Sequence, residues 1–284
     1  DGYRSAASFN NDIGVPISLV NADLSKKDFV FEVGTNHPGE IGPLTSLIKP
    51  DFSVLLNVQD AHIGNFRDSE ALLKEKLDIF TTVKNIKSKI SYDELGLEGY
   101  QFGHRESSDA QLISVSDNHC IIKLFGRPIT AEMPVTGIHN ALTMAAALLT
   151  SELLGEKVED HVILPADLHP RGRGNKSHVN GIEVIDDSYN ANPTSMMASL
   201  RTQLDRGIRG KNIAVIGEML ELGDGSEQKH KEILRVLRNF DRVFLVGNVF
   251  SPLIAENERK SFSVHSDADK NLVRDIRKEL NEGD

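Results

Sequence analysis

At 284 residues the chain is long enough for about two domains with a core each, and 39% hydrophobic with 26% charged residues is ordinary for a globular protein. A formal net charge of -10 argues against a general nucleic-acid surface, which needs clustered Lys and Arg, though a local anion site stays open. One cysteine, Cys120, excludes an internal disulfide and fits a reducing compartment; with no apolar run near roughly 18 residues and no visible signal peptide, the expectation is a cytoplasmic protein without a membrane partner.

The chain opens at Asp1 and closes at Glu282-Gly283-Asp284 directly after a helical pattern, so both ends read as cut. Residues 8–16, Ser-Phe-Asn-Asn-Asp-Ile-Gly-Val-Pro, form a polar turn leading into the apolar run Ile17 to Val20. Phe29 to Val33 is a nearly continuous apolar run, the pattern of a strand buried on both faces of a parallel sheet. Glu32 interrupts it, and a carboxylate buried there must be paired or hold a cation. Leu44 to Ile48 predicts one side of a helix that stops before Pro50. A second buried strand, Phe52 to Val58, runs into Gln59-Asp60-Ala61-His62, where a lone His suits a structural hydrogen-bonding role. Residues 69–83 have helical spacing, with Leu72, Leu73, Leu77, Ile79 and Phe80 as the apolar stripe; on composition Lys74 and Lys76 are a solvated flank. From 88 to 136, short apolar pairs alternate with polar residues and Gly, which predicts several antiparallel strands. Gly137-Ile138-His139-Asn140 then opens an Ala-rich helix ending near Gly155, with Leu142, Ala145, Ala146, Leu149 and Leu153 as core.

His169-Pro170-Arg171-Gly172-Arg173-Gly174 is a basic, glycine-rich link, and it sets the expected boundary between a domain over 1–168 and one over 169–284. Beyond it strands and helices alternate at 182–186, 195–206, 212–217, 227–238, 242–247 and 269–280, which implies a parallel, Rossmann-like sheet. The first of these strands empties into Asp186-Asp187-Ser188-Tyr189-Asn190-Ala191-Asn192-Pro193, with Pro193 placed for the first turn of a helix. On composition that stretch is a capped turn; its place at the carboxyl end of a strand is also where open α/β sheets bind ligands.

Those eight residues resemble the signature that opens the C-terminal domain of the Mur ligases, most closely the branch that adds D-alanyl-D-alanine to a UDP-muramoyl-tripeptide. The resemblance extends over nearly all of the chain through separate elements in the family's order. It implies an α/β fold: part of a central ATPase domain, mostly parallel sheet with a small antiparallel region, followed by a Rossmann-like C-terminal domain. By the same resemblance Glu32 binds magnesium, with Gly34-Thr-Asn-His-Pro-Gly-Glu-Ile41 following it in the family's pattern, and His62 lies at the metal site. Lys76, in a better register than Lys74, carries a carbamate that serves a second magnesium ion. Asn10 and Asn11 match a segment that touches the muramoyl-peptide. Asn140, Arg173, Asp187, Tyr189, Asn190 and Asn192 fall at positions near ATP. Gly217-Glu-Met-Leu-Glu-Leu-Gly223, with Ser226 and His230, matches a further element in which His230 is a substrate contact; Glu218 departs from the family's Asp.

The resemblance implies an ATP-dependent amide ligase of peptidoglycan precursor synthesis, a monomer whose substrates are UDP-MurNAc-tripeptide and D-alanyl-D-alanine. The phosphate loop Gly-x-x-x-x-Gly-Lys-Ser/Thr that such a ligase uses is absent, since Gly210-Lys211 is followed by Asn and has Asp205 in place of the first glycine. The family's C-terminal Lys-Gly-Ser motif is absent as well. The expectation is therefore a fragment that starts downstream of the loop and does not hydrolyse ATP alone. Two rivals stand beside it: a related amide ligase, such as a diaminopimelate- or lysine-adding enzyme or a folylpolyglutamate synthase, and a non-catalytic nucleotide- or muropeptide-binding module.

Overall fold

A computed structural model describes residues 2–59, 62–116, 118–134, 137–165, 170–207, 210–255 and 260–281. Asp60, Ala61, His169 and the 168/169 boundary lie outside the described residues. The chain forms two compact units, one of residues 1–114, 121–129 and 142–160, the other of residues 115–120, 130–141 and 161–284.

In the first unit, β1 (Gly2–Arg4) and β2 (Asp28–Val30) pair in parallel, with α1 (Gly14–Val20) between them in sequence. The helix α1 forms where a turn and an apolar run were expected, because the Asn11 carboxamide oxygen accepts the N–H groups of Ile13 and Gly14 at 3.3 and 2.8 Å and so satisfies donors that a helix start leaves open. The run from Phe29 is a strand only as far as Val30, and it is not buried on both faces: Val30 is 63% exposed and Glu32 is exposed. The reason is that among the described residues β1 is its only partner strand.

Next come α2 (Ile41–Ile48), β3 (Ser53–Leu55) and α3 (Ser69–Leu77). Helix α2 ends at Lys49, whose left-handed backbone (φ 53°) precedes Pro50, as the proline predicts. Asp68 caps α3, accepting from Ala71 N at 2.8 Å. Five strands and a helix follow: β4 (Lys89–Tyr92), β5 (Tyr100–Gly103), β6 (Ala110–Val115), β7 (His119–Leu124), β8 (Arg127–Glu132) and α4 (Ile138–Leu153). With β9 (His161–Ile163), seven strands lie in the order β3-β4-β5-β6-β7-β8-β9.

The expectation of antiparallel strands over 88–136 fails for the first of these. The pairs β3–β4, β4–β5 and β5–β6 are all parallel. The links between them do not turn back tightly: a helical turn at Asp93–Leu95 carries the chain from β4 towards β5, and a loop carries it from β5 to β6. Asp93, fully buried, anchors that loop by accepting from Arg105 N at 2.7 Å and Ser108 Oγ at 2.8 Å. It lies so close to β5 that a Cβ on Gly103 would sit 2.1 Å from its carboxyl carbon. Gly103→Ala should therefore lower folding stability by about 1–3 kcal/mol, the usual cost of overpacking, read as a drop in the denaturant midpoint at unchanged slope. Later in the stretch, β7 and β8 are joined by Phe125-Gly126 at φ 45° and 85°, the two-residue turn of an antiparallel hairpin.

In the second unit, β10 (Asn175–Val179) and β11 (Ile182–Asp186) form an antiparallel hairpin over Asn180-Gly181, whose φ angles are 51° and 80°. The strand at 182–186 thus belongs to a two-stranded sheet and not to the parallel one, because Asn-Gly supplies the positive φ pair that a two-residue turn requires. Then follow α5 (Pro193–Asp205), β12 (Ile213–Gly217), α6 (Ser226–Leu237), β13 (Arg242–Val246), β14 (Phe262–His265) and α7 (Lys270–Glu279). Strands β12, β13 and β14 run parallel in that order, the expected Rossmann-like pattern with one strand, β14, that the sequence reading omitted. Leu200 of α5, Ile233 and Leu237 of α6, Val243 and Leu245 of β13 and Phe250 pack into one core. Among the described residues no helix is long and apolar enough to cross a membrane.

Candidate functional site

Two constellations hold the predicted residues, one in each unit. In the first, Asn10 Nδ2 donates to Glu32 Oε1 at 2.9 Å, and Gly34 N donates to the Asn10 carbonyl at 2.8 Å. Lys76, half-buried on α3, lies within electrostatic reach of Glu32 and Glu75. Burial pushes its ammonium below the ordinary lysine range, and the two carboxylates only partly oppose that shift. Lys74 on the same helix is exposed. The structure thus separates the two lysines and brings Asn10, Glu32 and Lys76 together. Asn11, next to Asn10 in the chain, uses its side-chain oxygen at the start of α1.

The reading of Glu32 as a buried carboxylate is corrected, since it is exposed just beyond the end of β2. Among the described residues, the strands that precede Glu32 and His62 lie in different sheets: β2 pairs with β1, whereas β3 pairs with β4. His62 has a left-handed backbone (φ 60°), and its carbonyl accepts from Asn65 N at 2.9 Å to start a helical turn. Among the described residues no three His, Cys, Asp or Glu side chains form a ready metal cage. Magnesium does not need one: it binds through one or two carboxylates, keeps waters and takes phosphate oxygens. The Glu32 carboxylate fits that donor set.

In the second unit the hairpin sets the geometry. Its register continues past β10 and β11, with Gly174 N donating to the Asp186 carbonyl at 2.8 Å and Tyr189 N to the Gly172 carbonyl at 3.0 Å. A Cβ on Gly172 would meet Tyr189 N at 2.9 Å, so only glycine allows this approach. The link therefore lies directly against the acidic signature, and the Arg173 guanidinium stacks 4.1 Å from the Tyr189 ring centroid. Asp186 Oδ1 accepts from Ser188 N and Oγ at 3.1 and 2.6 Å, which shapes the turn and leaves Asp187 exposed beside it. Asn190 is exposed, and Asn192 caps α5 in a reciprocal pair with Ser195. At the start of α4, Asn140 Nδ2 lies 3.1 Å from His139 Nε2. Burial lowers the proton affinity of His139 and the nearby Asp187 carboxylate raises it, so both residues share one neighbourhood.

His230 does not join this group. It is 1% exposed, its Nε2 accepts from Met219 N at 3.0 Å, and its Nδ1 lies 2.7 Å from the Ser226 carbonyl. Both ring nitrogens are used within the fold, against Phe250 at 5.2 Å between centroids, so a direct substrate contact is not open to it.

The description "Mur ligase middle domain" matches residues 2–151, and "Mur ligase, glutamate ligase domain" matches residues 172–284. The chain belongs to the Mur ligase family. Among its Mur ligase relatives, the UDP-N-acetylmuramoyl-tripeptide–D-alanyl-D-alanine ligase of Bacillus subtilis (strain 168) is 30% identical over 301 residues, covering 99% of this chain and 65% of the relative. The ligase of the same description from Rickettsia prowazekii (strain Madrid E) is 28% identical, covering 86% of this chain and 59% of the relative. A crystal structure of MurF ligase from Thermotoga maritima in complex with ADP superposes with a TM-score of 0.84 at 26% identity, over 100% of this chain and 68% of that one. The chain thus spans about two thirds or less of the curated relatives it matches.

Sequence reasoning passed over two acidic residues of this Mur ligase chain. Glu75, 4% exposed on α3, accepts from the N–H groups of Gly39, Glu40 and Ile41 at 2.6, 3.0 and 2.8 Å. Glu40 accepts from Asn36 N and His37 N at 2.7 and 3.1 Å. Burial raises the Glu40 carboxyl, but the bonds from Asn36, His37 and Thr35 outweigh it and hold the group below the ordinary carboxylate range. A signal existed for Glu75: it falls three residues after Leu72, on the buried side of the same helix.

Proposed function

We propose that the chain supplies the ATP- and magnesium-handling part of a cytoplasmic, monomeric ligase that joins D-alanyl-D-alanine to UDP-N-acetylmuramoyl-tripeptide through an acyl phosphate. The observation that carries this reading is Lys76, half-buried on α3 within electrostatic reach of Glu32, with its proton affinity lowered by burial. A neutral Nζ adds to carbon dioxide: an N–C bond forms, one proton leaves to solvent, and an anionic carbamate replaces a cation. Glu32, the Lys76 carbamate and His62 would hold magnesium, which when bound offsets the charge gathering on a transferred phosphoryl group. Asn10 orients Glu32 through its carboxamide. Arg173, preset on Tyr189, offers a guanidinium fork to phosphate oxygens, with Asp187, Asn140 and Asn190 around the nucleotide. Asn192 acts through the helix it caps.

The test is ADP release by the whole protein. Release should require UDP-MurNAc-tripeptide and D-alanyl-D-alanine together, and should fail when diaminopimelate, lysine or glutamate replaces the dipeptide. Turnover with one of those amines instead would move the chain to another branch of amide ligases. No turnover with any of them, alongside retained nucleotide binding, would favour a binding module.

A further inference from the structure

The loop between Glu32 and α2 is held from two directions by carboxylates. Glu40 gathers the N–H groups of Asn36 and His37, and Glu75, reaching over from α3, gathers those of Gly39, Glu40 and Ile41. The Thr35 hydroxyl lies 3.2 Å from Glu40 Oε2 and 3.4 Å from Glu75 Oε1, and it donates to the His37 carbonyl at 2.8 Å. At the other end of the loop, Gly34 N bonds to the Asn10 carbonyl, and the Asn10 carboxamide bonds to Glu32. One continuous set of bonds therefore runs from helix α3 through the loop to Glu32.

Glu75 also precedes Lys76. Successive residues on an α-helix project about 100° apart, so three bonds from one side chain fix the rotation of α3 about its axis and with it the direction of the next residue. A buried carboxylate that accepts three backbone N–H groups is held far more tightly than an exposed ion pair. We infer that Glu75 is a positioning residue, locking the Thr35–Ile41 loop to α3 so that Lys76 and Glu32 face each other; the inference rests on the reading of Lys76 as the carbamate-bearing lysine. Glu75 touches neither substrate nor metal in this role and acts through its neighbours.

The test uses the 284-residue chain with saturating magnesium in 13C-labelled bicarbonate, with the carbamate signal read by 13C NMR and assigned by its absence in Lys76→Arg. Glu75→Gln keeps the shape but offers one acceptor oxygen to the loop's donors and turns an NH2 group towards one of them. Its carbamate signal should fall at least ~10-fold, at the lower end of what loss of a ligand's supporting contact costs. Amide exchange at Gly39, Glu40 and Ile41 should rise in the same variant. Asp93→Asn, at a buried carboxylate elsewhere in the unit, controls for general destabilisation and should keep the signal. An unchanged signal in folded Glu75→Gln overturns the inference and leaves the Lys76 reading standing. No signal in the unaltered chain sinks that reading and the inference with it. Should Glu75→Gln fail to fold, Glu75→Asp, charged but one methylene short of the donors, takes its place under the same criterion.

Discussion

Lys76→Ala in the whole protein should lower the ligation rate by about 10²–10³-fold, the scale on which one preorganised charged contact to a transition state is lost. Lys74→Ala should leave the rate within about twofold, because an exposed lysine on a helix flank is well solvated. The contrast follows from environment. Burial lowers the proton affinity of Lys76, so more of its amine is neutral at a given pH, and only the neutral amine adds carbon dioxide. The expected pH dependence has a definite sign: raising pH deprotonates the amine and favours the carbamate, and lowering it removes the modification and the activity together. Glu75 and Glu32 work against deprotonation, but a carbamate beside them needs a cation to offset the gathered negative charge. Short-chain carboxylic acids should restore part of the Lys76→Ala rate by placing a carboxylate in the space vacated. Steady-state rates at fixed magnesium, with and without acetate, check all of this. A Lys76→Ala enzyme as fast as the original would end the assignment.

The split between what could and could not be read beforehand is itself physical. The 186–193 stretch and the alternation after it were legible because turn chemistry and hydrophobic period are local properties, and α5, β12, α6, β13 and α7 appear where periodicity puts them. Pairing is not local. The hydrophobic pattern of Phe29 to Val33 carries no mark of how many strands flank it, so it suggested a central strand and a buried Glu32 where a two-stranded edge exists. The antiparallel reading failed for β4, β5 and β6 for a related reason, since Asp93 and Gly103 act through a contact at no fixed sequence spacing. Glu75 was overlooked because a charged residue on a helix is by default solvated, and only the N–H groups of another element reveal its role. His230 was over-read, because a histidine four residues beyond Ser226 bonds to the backbone of its own helix. Asn180-Gly181 was a local signal left unused, and it is the one that brings residues 172–174 to the acidic turn.

That juxtaposition yields the second large effect, at Arg173. A free arginine on a mobile link loses much rotamer entropy when it grips a phosphate; one already stacked 4.1 Å above Tyr189 has lost part of it in advance. Arg173→Ala should lower kcat/KM for ATP by about 10²-fold, since both the charge and the bidentate fork are removed. Arg173→Lys should recover only a part, because a lysine keeps the charge but offers no planar fork to the phosphate and no flat face to the ring. Tyr189→Leu, which spares the guanidinium and removes its platform, should cost less, about 2–5-fold, in keeping with a cation–π contact worth roughly 0.5–1 kcal/mol at an exposed site. The fold should survive all three substitutions: the hydrogen bonds from Arg173 N to Asn175 and from Tyr189 N to Gly172 are made by backbone donors and persist when the side chains change. Initial rates across a range of ATP concentrations separate these variants. If Arg173→Ala matched the original within twofold while Tyr189→Leu did not, the nucleotide would be held by the ring and not by the guanidinium, and the assignment of Arg173 would be wrong.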